Sequence, residues 1–320
     1  MRLRGWFGFL VACLIAPSAA FSADNPPFLL QWGDATDFSN STNPLAHGPT
    51  GNIYVLETAV GSERVTEWDN NGVFITRWGM FGSGPGEFGA ATGAIAAGPD
   101  GSIYVADGRI QKFTANGVYV AQWSSIGTGD GQFGGSRGMD TDAAGNLYVA
   151  DLGNDRVDIF DSSGAFLGKW GVSGTGPGQV HLPISVAVEH SGNVLVGDGT
   201  GRLQRFTVSG TYLATIATNG SFEGQIGNSP LQIAVDPDGR IFVADWQNNR
   251  IVVFAPDGSF GAQWGILGTG PGQFNGPAGV TADADGNAFV FDRENHRVQK
   301  FGYVTPTLTT SWGRIKAIYK

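Results

Sequence analysis

Short apolar runs alternate with polar turn residues along most of the chain. Segments rich in β-branched and aromatic residues, such as "SIYVAD" (102–107) and "RIFVAD" (240–245), are bounded by Asp-Gly or Asn-Gly pairs. Period-two patterning, this enrichment and these turns are typical of antiparallel strands. Glycine makes up 51 of the 320 residues, a density that helix interiors do not tolerate but tight turns use. The pattern predicts an all-β protein.

A strand that ends in Trp-Gly recurs at a nearly constant interval. Its Trp positions are Trp32, Trp78, Trp123, Trp170, Trp264 and Trp312, with Ile216 in a degenerate copy. Successive positions are 45 to 48 residues apart, and each unit contains four strand-like segments. Four strands at this period make one propeller blade. Because six complete sets of the first three strands are present, we predict a six-bladed β-propeller with four antiparallel strands per blade.

The chain offers one Trp-Gly strand more than six blades need. "PFLLQWG" (27–33) near the start and "TLTTSWG" (307–313) near the end compete for the outer edge of blade six. The terminal copy follows a turn that contains Pro306, which lacks a donor N–H. We therefore predict that Phe28–Trp32 closes the ring, that the propeller spans 27–304, and that 305–320 form a C-terminal tail.

One unit carries a recognisable family pattern. The segment "IAVDPDGRIFVADWQNNRIVVFAPDGSFGAQWG" (233–265) resembles an NHL repeat, and the other five units, together covering 28–302, resemble it. The resemblance implies a six-bladed β-propeller, and we identify the chain as a bacterial, exported member. It implies little about function, because the family includes amidating lyases, receptor sensor domains and RNA-binding modules.

The first residues predict export. "MRLRG" is basic, "WFGFLVACLIA" is apolar, and small residues follow around 20–22. This order is typical of a signal peptide, so we predict a leader at 1–22 and a periplasmic or secreted protein. The only cysteine, Cys13, lies in the leader, although the residues before it also fit a lipidation motif. The mature chain then has neither a disulfide nor a Cys nucleophile.

Net charge and hydropathy limit the classes of partner that the protein can have. The net charge of −9 argues against binding to nucleic acid, since an acidic surface repels phosphates. No apolar run after the leader approaches the 18 residues of a membrane span, so we predict no transmembrane segment.

Residues that recur in every blade are interpreted as structural. An acidic residue closes each second strand and an Arg opens each third strand, as in Asp245 and Arg250; we predict that the two pair across the hairpin. The loops of the type "GTGPGQF" (268–274) lack the Gly-Lys-Ser/Thr of a phosphate-binding loop. The turns of the type "DPDG" (236–239) place Gly too early for an EF-hand.

Polar residues confined to one blade suggest a site. "SRGMD" (136–140) places Arg137 and Asp140 on an innermost strand, which lines the central channel. Other blades have Ala or Thr at the Asp140 position, as the following residues show: Ala46, Ala96, Ala187, Ala234 and Thr281. Two interpretations remain open. Arg137 contacts an anion or carboxylate, with Asp140 as its partner or as a second ligand, or the two form an ion pair that plugs the channel.

Two further candidates lie on what we call the loop face, the side of the disc that carries the inter-blade loops and the loops between second and third strands. Trp246 has no counterpart in other blades and is either a binding anchor or folded over its own blade. His296 is a candidate ligand contact in a connecting loop. We expect His47 to pack between blades and His190 to be exposed.

These observations favour a binding module over an enzyme. We assign no catalytic or metal-binding residues, because zinc needs three convergent ligands and we expect at most two of the four histidines on the loop face. The prediction is a monomeric, exported scaffold that binds a protein, peptide or glycan through its loop face. It requires no cofactor but leaves room for a structural calcium. The alternative is a metal-dependent lyase or lactonase-type hydrolase with its site at the channel.

Overall fold

Six four-stranded antiparallel sheets, one for each blade, form the part of the chain that the structure describes. A computed structural model describes residues 26–38, 44–59, 61–89 and 93–302. The prediction of an all-β six-bladed propeller with four strands per blade is confirmed. The leader (1–22) and the tail (305–320) lie outside the described residues, so export and the role of the tail stay predictions.

The strands follow the repeat along the sequence. Blade one contains β2 (Leu45–His47), β3 (Ile53–Glu57), β4 (Arg64–Trp68) and β5 (Phe74–Trp78); blade two contains β6 (Ala94–Ala97), β7 (Ile103–Ala106), β8 (Ile110–Phe113) and β9 (Tyr119–Trp123). Blade three contains β10 (Ser136–Thr141), β11 (Leu147–Asp151), β12 (Arg156–Phe160) and β13 (Phe166–Trp170); blade four contains β14 (Pro183–Val188), β15 (Val194–Asp198), β16 (Leu203–Phe206) and β17 (Tyr212–Ala217). Blade five contains β18 (Ile233–Val235), β19 (Ile241–Asp245), β20 (Arg250–Phe254) and β21 (Phe260–Trp264); blade six contains β22 (Pro277–Ala282), β23 (Ala288–Asp292), β24 (Arg297–Phe301) and the N-terminal β1 (Phe28–Trp32).

Among the described residues, helical structure is confined to two single turns of 3-10 helix. They are Trp246–Asn248 and Arg293–Asn295, each directly after a second strand. No helix in the described ranges is long and apolar enough to cross a membrane.

The N-terminal strand closes the ring, as predicted. β1 pairs with β24 in antiparallel register, with Gln31 opposite Gln299 and Trp32 opposite Val298. The Gly302 N–H adds a hydrogen bond of 2.9 Å to the Pro27 carbonyl. Blade six is therefore built from both ends of the described chain, which covers what would otherwise be an open sheet edge at β24.

The Trp-Gly motif joins neighbouring blades. Trp32 packs in an apolar cluster that combines residues of blades six and one, among them Phe289 and Trp68. Its ring lies against Gly72, in the turn between the third and fourth strands of blade one, where a Cβ atom would approach Trp32 to 2.8 Å. The same Trp-to-glycine contact recurs at Trp78, Trp123 and Trp170. Each outer strand therefore supports the next blade, and the turn there requires glycine.

Candidate functional site

The repeated acidic residue and arginine form a structural support. Arg250 pairs with Asp245 at 2.9 Å, and Arg297 with Asp292 at 2.8 Å. The corresponding pairs in the other blades involve Arg64, Arg109, Arg156 and Arg202. The predicted pairing is confirmed in all six blades.

The same arginines hold the glycine-rich inter-blade loops. Arg297 donates to the carbonyl oxygens of Thr269, Gly270 and Gln273 at 2.8 to 3.0 Å. Arg109, Arg156, Arg202 and Arg250 make the equivalent contacts in their own loops. These loops turn carbonyl groups toward a guanidinium, so their glycines serve the loop fold and leave no phosphate cradle at that point.

Exposed apolar side chains recur on the inter-blade loops. We call this set the apolar crown, and it consists of Met80, Phe81, Ile126, Val172, Phe222, Ile266 and Leu267. Their exposed fractions range from 54% at Phe81 to 78% at Phe222. All but Phe222 lie two or three residues after the last Trp of an outer strand. The crown therefore follows the rim of the loop face.

The two loop-face candidates have different surroundings. Trp246 is half-buried, begins a 3-10 turn, and has a buried Nε1 without a hydrogen-bond partner among the described residues. A ring nitrogen that is shielded in this way places part of the indole against the protein. His296 is also half-buried, and its Nδ1 lies 2.9 Å from the Phe38 carbonyl oxygen. His296 thereby ties blade six to the segment after β1.

Arg137 and Asp140 do not form the ion pair considered from the sequence. Arg137 is exposed and lines a cavity of about 10 Å³ together with Leu231 and Pro44. Asp140 lines two other cavities and accepts hydrogen bonds of 2.8 Å from the backbone N–H groups of Thr141 and Val188. The pairing register shifts between Ser136 and Gly138, so Arg137 lies at a bulge and its side chain lines a different cavity from Asp140.

Gln232 links blades across the channel, and sequence reasoning missed it. Its Oε1 accepts from the Leu45 N–H of blade one at 3.0 Å and from the Val280 N–H of blade six at 3.1 Å. The alignment that revealed Asp140 carries the signal, because the other blades place Pro44, Ala94, Gly138, Ser185 and Gly279 at this position. A half-buried amide at the start of blade five therefore connects to the first strands of blades one and six.

A larger cavity opens on the opposite side of the disc, which we call the turn face because it carries the hairpins between first and second strands. This turn-face funnel has a volume of about 550 Å³, and its lining includes His47, Asp140, Asp142, Glu189 and His190. A channel cavity of about 160 Å³ shares His47 and Asp140 with it and reaches Gln232. The loop face, which was chosen from the sequence, is thus not the face that carries this cavity.

Burial shifts the pKa values of two side chains that line the funnel, Asp140 and His47. Desolvation raises the pKa of Asp140 to about 6, although two backbone N–H groups and His190 favour the carboxylate. Burial also lowers the pKa of His47, whose ring stacks on Phe289 of blade six as expected for packing between blades. The His47 Nε2 has no hydrogen-bond partner in the described ranges. His190 is exposed, as predicted, and its Nε2 lies 3.0 Å from the Asp236 carbonyl oxygen.

Comparisons with known proteins agree with this architecture. The NHL repeat family matches residues 228–254 and 274–301. These are the inner three strands of blade five and of blade six, apart from a few flanking residues. The chain is therefore a six-bladed β-propeller that carries NHL repeats. No curated protein matches it significantly.

Solved structures with the same kind of fold include two lyases. One is a streptogramin B lyase with a TM-score of 0.56 and 15% identity, matched over 81% of this chain and 78% of that one. Another is virginiamycin B lyase from Staphylococcus aureus, with a TM-score of 0.56 and 11% identity, matched over 86% of this chain and 99% of that one. At such low identity the likeness extends to the fold alone. Within the described residues, no group of three or more His, Cys, Asp or Glu side chains is placed to hold a metal ion.

Proposed function

We propose that the protein is a non-catalytic binding module whose loop face recognises a protein or peptide with apolar side chains. The apolar crown is the observation that carries this proposal. Single exposed apolar residues are ordinary on protein surfaces, but here every inter-blade loop between blades one and six exposes at least one. Exposed apolar residues gathered at one surface mark protein interaction sites.

The rigidity of the crown supports the proposal. Each loop is held by an arginine that is itself fixed by a buried carboxylate, as Arg297 is by Asp292. Loops that are ordered before binding lose little conformational entropy when a partner docks. Apolar side chains on such loops can therefore contribute most of their burial to affinity.

A selection with defined peptides tests the proposal. Peptides from a random displayed library are selected on the intact protein, and the affinity of single clones is measured for two double variants. Ile266→Glu with Leu267→Glu changes the crown, whereas Val118→Glu with Val120→Glu changes comparably exposed apolar positions just before and on the outer strand β9. We expect at least a tenfold loss of affinity for the first and less than a threefold change for the second.

Three results would overturn the proposal. Equal losses in both double variants would place binding elsewhere. Self-association of the wild type, abolished by the crown variant, would make a second copy the occupant in place of another protein. Turnover of a streptogramin B by the purified protein would overturn the non-catalytic part and favour an enzyme with its site at the channel.

A further inference from the structure

The turn-face funnel is a second concave site, independent of the loop face. Its volume of about 550 Å³ lies within the range of about 300 to 1,000 Å³ that is usual for small-molecule sites. It continues into the channel cavity along His47, Ala97, Asp140 and Val235. Neither cavity shares a lining residue with the small one beside Arg137. The funnel therefore has its own lining chemistry.

That chemistry is acidic. Three carboxylates line the funnel, those of Asp140, Asp142 and Glu189, and no lysine or arginine is among its lining residues. Glu189 already pairs with Arg205 at 2.6 Å. Asp142 is saturated locally, because it accepts from the N–H groups of Ala144 and Asn146, from the Asn146 side chain and from the Tyr148 hydroxyl. Asp140 is the carboxylate that still has capacity for a ligand.

Asp140 has acceptor capacity that the fold does not use. A carboxylate has about four lone-pair positions, and Asp140 accepts two backbone N–H groups and pairs with no cation in the described ranges. Four other blades have Ala at this position, so the blade fold does not require an acid there. Repetition explains supports, but it does not explain a half-buried acid that occurs once.

We propose that the turn-face funnel binds a small organic cation through an ammonium group placed against the Asp140 carboxylate. The apolar wall formed by Ala97, Val188 and Val235 suits a short alkyl chain behind the ammonium. The ammonium can come from a free amine or from a lysine side chain of a peptide.

Calorimetric titration distinguishes these sources with three probes. n-Butylammonium represents the free amine, Nα-acetyl-lysine methylamide represents a peptide lysine, and n-butanol is a neutral isostere. At pH 7.5 we expect at least one ammonium probe to bind ten times more tightly than n-butanol. Preference for the lysine derivative would identify a peptide source, and preference for butylammonium a free amine. Equal binding of n-butanol would overturn the proposal.

Two variants test the assignment at Asp140. Asp140→Ala installs the residue of four other blades and should weaken ammonium binding at least tenfold. Asp285→Asn removes an exposed carboxylate from the equivalent turn of blade six, outside the funnel, and should leave binding unchanged. If Asp140→Ala binds as well as the wild type, the assignment is wrong.

A substitution that leaves Asp140 in place guards against misfolding. Ala143 lies exposed on the funnel wall, and Ala284 is its exposed counterpart in blade six. Ala143→Lys should place a competing ammonium in the funnel and weaken probe binding at least tenfold, whereas Ala284→Lys should have no effect. Equal effects of the two lysines would show a general charge effect on the turn face and overturn the proposal.

Discussion

Blades three and six carry different side chains at the same buried position of the third strand. In blade six, Gln299 lies on the third strand, donates from Nε2 to the Gln273 carbonyl oxygen at 2.8 Å, and accepts from the Gly272 N–H at 2.9 Å. Blade three has Asp158 at the equivalent position, fully buried beside Arg156 and Asp151. A carboxylate cannot donate to a loop carbonyl unless it is protonated.

Replacing this amide with a carboxyl group changes the protonation behaviour of the buried position. Burial raises the pKa of Asp158 to about 7, against the opposing effect of Arg156 and with a further increase from Asp151. The amide in blade six carries no such penalty. Blade six contributes the ring closure and has the neutral amide of Gln299 at this position, whereas blade three contains two acids, Asp140 and Asp158, whose pKa burial raises.

The largest expected effect concerns the ring closure. Trp32→Ala removes a buried ring from the cluster between blades six and one and should lower the free energy of unfolding by about 3–5 kcal/mol. Trp170→Ala in blade three changes a half-buried ring on a strand within a continuous hairpin and should cost less. Urea unfolding of both variants measures the difference. An equal or larger loss for Trp170→Ala would contradict the special role of β1.

The next effect transfers blade-three chemistry to blade six. Gln299→Asp buries a carboxylate where an amide bridges two loop groups, and should cost about 2–3 kcal/mol at pH 7.5. The loss should shrink at pH 5, because the buried acid can then be protonated. Gln122→Asp makes the same change at an exposed position of β9 and should cost less than about 0.5 kcal/mol. Similar losses in both would show that burial does not set the penalty.

The reverse exchange should stabilise the protein. Asp158→Gln restores the amide found at Gln111, Gln204 and Gln299 and should raise the free energy of unfolding by about 1–2 kcal/mol at pH 7.5. The folded-state pKa lies above the unfolded one, so the native wild type binds the extra proton and loses stability as pH rises from about 4 to about 7. The advantage of the variant should therefore grow across that window. A variant that is less stable than the wild type at pH 7.5 would contradict this account.

The sequence predicts the fold well, because its signals are local and repeated. The Trp-Gly interval defines the blades, and comparison of the two terminal copies identifies β1 as the closing strand. The pairing of Asp245 with Arg250 also follows from repetition. The Trp-Gly strands and the Asp–Arg pairs have the same neighbours in several blades, so the same residue types recur at these positions.

The candidate sites were harder to predict from the sequence, because they depend on which cavity a side chain lines. Arg137 and Asp140 are three residues apart in sequence, yet they line different cavities. Gln232 reaches a strand that is 187 positions away in the chain, a contact that no local pattern indicates. The residues of the apolar crown also recur from blade to blade, but they are exposed. Repetition identifies a structural support only where the repeated side chain is buried.

Hydroxyl-radical footprinting of the protein, with and without a peptide selected on it, tests the central claim most directly, since it reports which side chains become covered. We predict that oxidation of Met80, Phe81 and Phe222 on the apolar crown falls several-fold when the peptide binds. Val118 and Val120, just before and on the outer strand β9, should remain as reactive as before. Protection of the outer strands or of the turn face, with the crown left reactive, would contradict the claim that the loop face is the binding surface.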